Sequence, residues 1–219
     1  MRYESPTTTK EAVALLAGEK GSAYVLAGGT DLMVRLRMDL IEPDLMVDIK
    51  RIPVMNEVKK TATGFKIGAA VSSAELGENK ALGKAWPGVV EAARLIGSDQ
   101  VQSRCTIAGN LCNASPAADS VPALVAAGAK AVVVGKSKRR TVAVDKIVTG
   151  PGETSLAKDE LVEAITLPKR AARSGDAYLR FIPRTEMDIA VVGCAVSLTL
   201  ARGVVKTARV ALGAVAPTV

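Results

Sequence analysis

Residues 22–38 read SAYVLAGGTDLMVRLRM. The run from Ser22 to Ala27 is short and apolar, with the Tyr and Val content of a buried strand. It passes without a spacer into Gly28-Gly29-Thr30-Asp31. Residues 31–38 then place Leu32, Met33 and Leu36 on one side of a helix and Arg35 and Arg37 on the other. Glycines let a backbone take positive φ and let a ligand approach the chain closely. A helix that starts at such a turn presents unpaired N–H groups and the positive end of its dipole. A pyrophosphate suits that place. Thr30 adds a hydroxyl donor. Asp31 is expected as an N-cap, because an acid facing a phosphate would repel it. The turn matches neither G-x-G-x-x-G nor a phosphate loop ending in Gly-Lys-Ser/Thr, so alone it defines no nucleotide fold.

On either side, the pattern fills in a compact unit. Thr8-x-x-Glu11 is a capping box that opens a helix over residues 10–17, stopped at Gly18. Residues 45–49, LMVDI, form the next strand. A second unit begins near Val58. Residues 64–70 alternate as a strand, Ser72 to Glu75 opens a helix, and residues 88–96 form another that stops at Gly97. Residues 120–127 are a helix with Pro122 in its first turn. Residues 130–134 and 141–144 form a hairpin around the basic KSKRR tip at 136–140, read as solvated. Residues 160–167 are a strand closed by Pro168. Residues 169–175 read as a linker. Residues 177–183, 189–201 and 204–212 are strands, the last two joined by a tight Arg202-Gly203 turn. The expected units are residues 1–55, 56–170 and 175–219, the last without a closing helix. There is no internal repeat and no low-complexity tract.

The second stretch that stands out is TIAGNLCNASPAAD, residues 106–119, with no cation and one acid at its far end. It is expected as a loop. Gly109 offers a close approach, and the Asn110 amide can donate and accept. Thr106 and Ser115 add hydroxyls, and Ser115-Pro116 signals a helix start. Asp119 either accepts from ribose or ribityl hydroxyls or caps the helix beginning near Ser120, and spacing does not decide between them. Cys105 and Cys112 read as small neutral fillers. Two neutral glycine-bearing loops on separate units point to a cleft that clamps an extended, dinucleotide-like ligand in a non-Rossmann fold.

Composition narrows the chemistry. Of 219 residues 48% are hydrophobic, so a core is expected, built from aliphatic residues because only 3% are aromatic. The same scarcity argues against base stacking on an aromatic platform. The net charge of +7 is scattered and suits a phosphate-bearing ligand or acidic partner subunits. With no His, His triads, His bases and His metal ligands are excluded. Three Cys without C-x-x-C cannot form an all-Cys cluster site, and their sparseness fits a reducing cytoplasm. No signal-peptide segment and no membrane-spanning run is seen.

AGGTDLMVRLR at 27–37, TIAGNLCNASPAAD at 106–119 and FIPRTEMDIAVVG at 181–193 together resemble the FAD-binding medium subunit of the molybdenum hydroxylases. That family includes xanthine dehydrogenase and aerobic carbon monoxide dehydrogenase. The resemblance runs in order over nearly the whole chain. It implies an α+β fold of the vanillyl-alcohol-oxidase (PCMH) type: two α+β subdomains with FAD between them, then a C-terminal α+β domain, truncated here. It implies FAD contacts, largely through backbone, from Val25, Leu26, Ala27, Gly28, Gly29, Thr30, Asp31 and Leu32, and a second segment of Thr106, Ile107, Ala108, Gly109 and Asn110. Asp119 is the matching acid, Ile96 and Val162 fall where apolar residues line the flavin, and Arg180 falls where a cation approaches the ring. Arg184 and Asp188 are expected to be structural. One departure is Ala108, where the family's T-x-G-G-N has its first Gly; an ordinary φ is required there, and FAD binding is expected to survive.

The resemblance further implies an electron-transfer role. A large subunit with the molybdenum cofactor would act on the organic substrate, and a small subunit would relay electrons through [2Fe-2S] clusters. FAD in this chain would pass them to NAD, a quinone or oxygen. A dimer of heterotrimers, no catalytic residue and no metal in this chain are expected. Two other readings stand beside it. A stand-alone flavin oxidoreductase of the same fold would need its own substrate domain and a catalytic acid. A cofactor-free basic binding module would need a clustered cationic face with aromatics.

Overall fold

In a computed structural model of the chain, residues 1–185 and 187–219 are described. Glu186, within the third family-like segment, lies outside them. The first unit holds β1 (Arg2–Glu4), α1 (Thr9–Gly18), β2 (Ala23–Leu26), α2 (Leu32–Arg37) and β3 (Leu45–Asp48). Its three strands are parallel in the order β1-β3-β2. The capping box is formed: the Thr8 hydroxyl accepts from the Glu11 amide, and the Glu11 carboxylate accepts from the Thr8 amide. Strand β1 was not legible in the sequence, because three partly exposed residues carry no alternation.

The second unit runs through β4 (Val58–Thr61), β5 (Gly64–Gly68), α3 (Ser73–Glu78), α4 (Lys80–Ala85), α5 (Pro87–Arg94), α6 (Asp99–Gln102), α7 (Ile107–Asn113) and α8 (Ser120–Ala127). It continues through β6 (Lys130–Val134), β7 (Arg139–Ala143), β8 (Val148–Gly150), β9 (Glu153–Thr154) and β10 (Leu161–Pro168). Its main sheet is antiparallel, in the order β4-β5-β10-β6-β7. Central β10 reads LVEAITLP and is buried on both faces. Its one charged side chain, Glu163, accepts from Lys66 Nζ at 2.9 Å, from Arg139 and from the Thr9 hydroxyl at 3.2 Å. A buried carboxylate is tolerated there because every approach brings a donor.

This corrects the reading of the 136–140 tip as simply solvated. Arg139 reaches Glu163, and Arg140 grips Glu160 through two bonds of 2.8 and 2.7 Å. Pairing across a sheet is invisible to a local charge count.

One aliphatic core links the two units, with Leu16, Leu45, Val47, Ile67, Leu76, Leu124 and Ile165 almost fully buried. Each such side chain contributes about 1.5–3 kcal/mol of hydrophobic stabilisation. The third sheet, β11 (Ser174–Phe181), β12 (Val192–Ala201) and β13 (Val204–Gly213), is antiparallel in that order. Arg202 and Gly203 both take positive φ, +52° and +83°, as the tight hairpin turn requires. The face carrying Tyr178, Ala195 and Ala211 packs on α5 and α8, and Leu179, Phe181 and Val210 are exposed on the other.

Residues 169–175 are more than a linker. Arg170 stacks on the Trp86 ring, 4.6 Å from its centroid, and bonds the Ala85 carbonyl at 2.7 Å and Asp176. Arg184 and Asp188 form an exposed ion pair at 3.5 Å. No helix among the described residues is long and apolar enough to cross a membrane.

Candidate functional site

The two glycine stretches meet. Gly28 does not take positive φ; its role is close approach. A Cβ there would stand 2.1 Å from the Arg104 carbonyl oxygen and 2.8 Å from the Cys105 Cα. Gly29 is the left-handed position, at φ +82°. Parallel pairing of β2 with β3 delivers this turn to the sheet edge. The ladder ends at Leu26, whose carbonyl accepts from the Ile49 amide at 3.1 Å. Lys50 then takes over: its Nζ donates to the Ala27 carbonyl at 3.2 Å and pairs with Asp48 at 2.8 Å. Asp48 also accepts from the Tyr3 hydroxyl. The turn is thus held by a side-chain network that the sequence reading missed. Among the described residues, the amides of Gly28, Gly29, Thr30 and Asp31 donate to no backbone acceptor.

Asp31 occupies the N-cap position of α2 but makes no cap bond, which corrects the expected cap. Its backbone is helical, so the carboxyl cannot reach back to the first amides. Desolvation raises its pKa, with Arg35 pulling the other way.

The second stretch is a helix where a loop was expected. Its start, Thr106, is an N-cap whose hydroxyl accepts from the Gly109 amide at 2.9 Å. A short polar segment with two Asn reads as a loop, but burial of Ile107, Ala108 and Leu111 against the core winds it into α7. Ala108 sits inside the first turn with ordinary φ, so the missing Gly costs nothing there. Ser115 and Pro116 lie in a turn, not a helix, and α8 starts at Ser120.

Between the two units lies an open cleft of about 250 Å³. Of the expected site residues, Val25, Ala27, Gly28, Gly29, Thr30, Asp31, Leu32, Ile96, Thr106, Ala108, Gly109, Asn110 and Val162 line it. Leu26 and Ile107 turn into the core. Tyr24, Cys112, Asn113 and Glu160 also line the cleft, unannounced by any motif. Burial pushes the Cys112 thiol up to about 12 and raises Cys105, in keeping with inert fillers.

Asp119 and Arg180 are not among the cleft-lining residues. They pair with each other at 2.9 Å, and the Tyr178 hydroxyl donates to Asp119 at 3.0 Å. Asp119 makes no cap bond to α8, so the capping alternative falls. Burial raises its pKa, with Arg180 and then Tyr178 opposing. Burial and the Asp119 charge raise Tyr178. The cluster fastens the third sheet to the start of α8. No cluster of three or more metal-ligating side chains occurs among the described residues.

Comparison with known proteins places this geometry. Residues 1–170 match the family model for the FAD binding domain in molybdopterin dehydrogenase, and residues 177–219 that for the CO dehydrogenase flavoprotein C-terminal domain. The chain is 33% identical to the carbon monoxide dehydrogenase medium chain of Hydrogenophaga pseudoflava, covering 99% of this chain and 75% of that one. It is 31% identical to a putative xanthine dehydrogenase FAD-binding subunit of Escherichia coli, covering 99% and 74%. The solved carbon monoxide dehydrogenase of H. pseudoflava superposes with a TM-score of 0.95 at 34% identity, covering 100% of this chain and 76% of that one. That of Oligotropha carboxidovorans gives 0.94 at 30%, again covering 100% and 76%. The expected α+β, PCMH-type architecture is therefore the observed one, and the chain belongs to the family of FAD-binding domains of molybdopterin dehydrogenases.

Proposed function

We propose that the cleft holds FAD and that the chain is the electron-transfer medium subunit of a molybdenum hydroxylase. The observation that carries this reading is the backbone contact of Gly28 with Arg104 and Cys105, which joins two glycine-bearing segments into one wall with unused amide donors. The residues fit the cofactor. Gly28 to Asp31 offer N–H groups for a diphosphate, and Ile96 and Val162 offer apolar contacts for a ring. Residues 1–55 and 56–170 serve as the two lobes, and residues 175–219 as the start of the C-terminal domain. Asp119 and Arg180, which pair with each other away from the cleft lining, serve that reading only by fastening the third sheet beside it.

FAD, when bound, takes up two electrons and hands them on. The chain's part is to bind, orient and shield it, without an acid–base residue of its own. The donors are [2Fe-2S] clusters of a small partner subunit, fed by a large molybdenum-cofactor subunit in a cytoplasmic dimer of heterotrimers. NAD, a quinone or oxygen is the acceptor. Pairing of Arg139 and Arg140 with Glu163 and Glu160 engages two of the four cations of the densest cluster, which weakens the case for a nucleic-acid face.

The test is the absorbance spectrum of the purified chain, with the released cofactor identified after denaturation. Flavin bands and one FAD per chain are expected. A folded, colourless chain that takes up no added FAD overturns the reading.

A further inference from the structure

Asn110 lines the cleft, and its amide is held from behind by Ser120. The Ser120 amide N–H donates to Asn110 Oδ1 at 3.2 Å and the Ser120 hydroxyl donates to the same oxygen at 2.6 Å. Ser120 itself is fully buried at the first position of α8. A backbone N–H can only donate, so the amide atom facing Ser120 has to be the carbonyl oxygen. The NH2 end then has no freedom to exchange places with it. Among the described residues, Asn110 Nδ2 donates to no acceptor, yet it is not one of the buried unpaired side-chain atoms. It therefore keeps some exposure, on a residue that lines the cleft.

The geometry points to Ser120 as a positioning residue that turns the Asn110 NH2 into the cleft, so that the ligand atom received there must be a hydrogen-bond acceptor. The inference rests on the FAD reading, and FAD supplies carbonyl, hydroxyl and phosphate oxygens as such atoms. Ser120 touches no ligand in this scheme. It acts by removing the wrong orientation of Asn110.

Asn110→Asp tests the polarity. The variant is isosteric, and its carboxylate accepts both Ser120 bonds. It turns an acceptor toward the cleft where the wild type turns a donor. In fluorescence titrations of the full chain with FAD, Kd is expected to rise at least about ten-fold at about pH 8. The loss is expected to shrink toward about pH 5, because a protonated carboxyl donates again. Ser120→Ala removes the hydroxyl bond but keeps the backbone N–H that fixes the sense of the amide, so it is expected to weaken binding by no more than about three-fold, with a loss that does not depend on pH. Circular dichroism checks folding of both. If wild type binds FAD, and Asn110→Asp binds as tightly at both pH values, the inference fails alone. If Asn110→Asp does not fold, Asn110→Ala takes its place, and a folded Asn110→Ala that binds FAD as tightly as wild type overturns the inference. A folded wild-type chain that takes up no FAD overturns the inference together with the reading beneath it.

Discussion

Gly28 and the Arg104 carbonyl are in backbone contact, leaving no room for a side chain between the two halves of the cleft. Gly28→Ala must push residues 27–29 away from 104–105. Overpacking of this kind costs about 1–3 kcal/mol. The expected outcome is a lower melting temperature and an FAD affinity reduced by more than about ten-fold, read by thermal melts and by titration. A variant that melts and binds as wild type does would show that the contact is dispensable.

Lys50 holds the Ala27 carbonyl at the base of the same turn. Lys50→Met removes one charge-assisted hydrogen bond, about 1.5–3 kcal/mol. FAD binding is expected to weaken by about ten-fold or more, while Lys50→Arg retains most of it. Equilibrium titration of the three proteins checks this.

Arg180 is the cation that offsets the buried charge of Asp119, and both side chains are nearly inaccessible. Arg180→Met leaves that carboxylate with only the Tyr178 hydroxyl, at a cost of about 3–5 kcal/mol at neutral pH. The sign with pH follows from the raised pKa of Asp119. A raised carboxyl favours the folded state below the ordinary Asp value, and that stability is lost as pH rises through the folded value. Without Arg180 the pKa rises further, so the variant should lose stability with increasing pH over a wider window than wild type. Melting curves from acid to neutral pH measure it.

Glu160 behaves oppositely. The Arg140 guanidinium and the Ala157 amide hold its carboxyl below the ordinary range despite burial. Its contribution is present above the unfolded Glu value and is lost as pH falls through the folded one. Arg140→Met is expected to cost about 2–3 kcal/mol at neutral pH. The difference between the two proteins should narrow in acid, and denaturant midpoints at two pH values would show it.

Cys112, with its thiol raised to about 12, should resist alkylation in the folded chain at about pH 8, where about one thiol in ten thousand is ionised. Iodoacetamide labelling followed by peptide mapping should find it unmodified when native and modified after denaturation. Rapid native labelling would contradict this placement.

Much of the fold is legible because its signals are local. The Thr8–Glu11 and Ser72–Glu75 capping boxes, the Arg202-Gly203 turn and the apolar run of β10 each declare themselves within a few residues. So does the AGGTD turn, a strand that stops at two glycines, one needed for its positive φ and the other for close approach. The helix at Ile107–Asn113 escaped because only packing against the core selects it over the loop its composition favours. The roles of Lys50, Ser120, Tyr178 and Glu163 escaped because their partners lie 23, 10, 59 and 154 residues away in the chain.

By itself, then, the sequence determined most of the elements, the two glycine-bearing segments and the family, because these depend on short-range backbone preference and on residues read in order. Only the tertiary structure decided that the segments share one wall, that Asp119 faces Arg180 rather than a helix end, and that Asn110 shows the cleft a donor. Those outcomes are set by which buried polar atoms meet, and every buried donor or acceptor must find its partner wherever the fold has carried it.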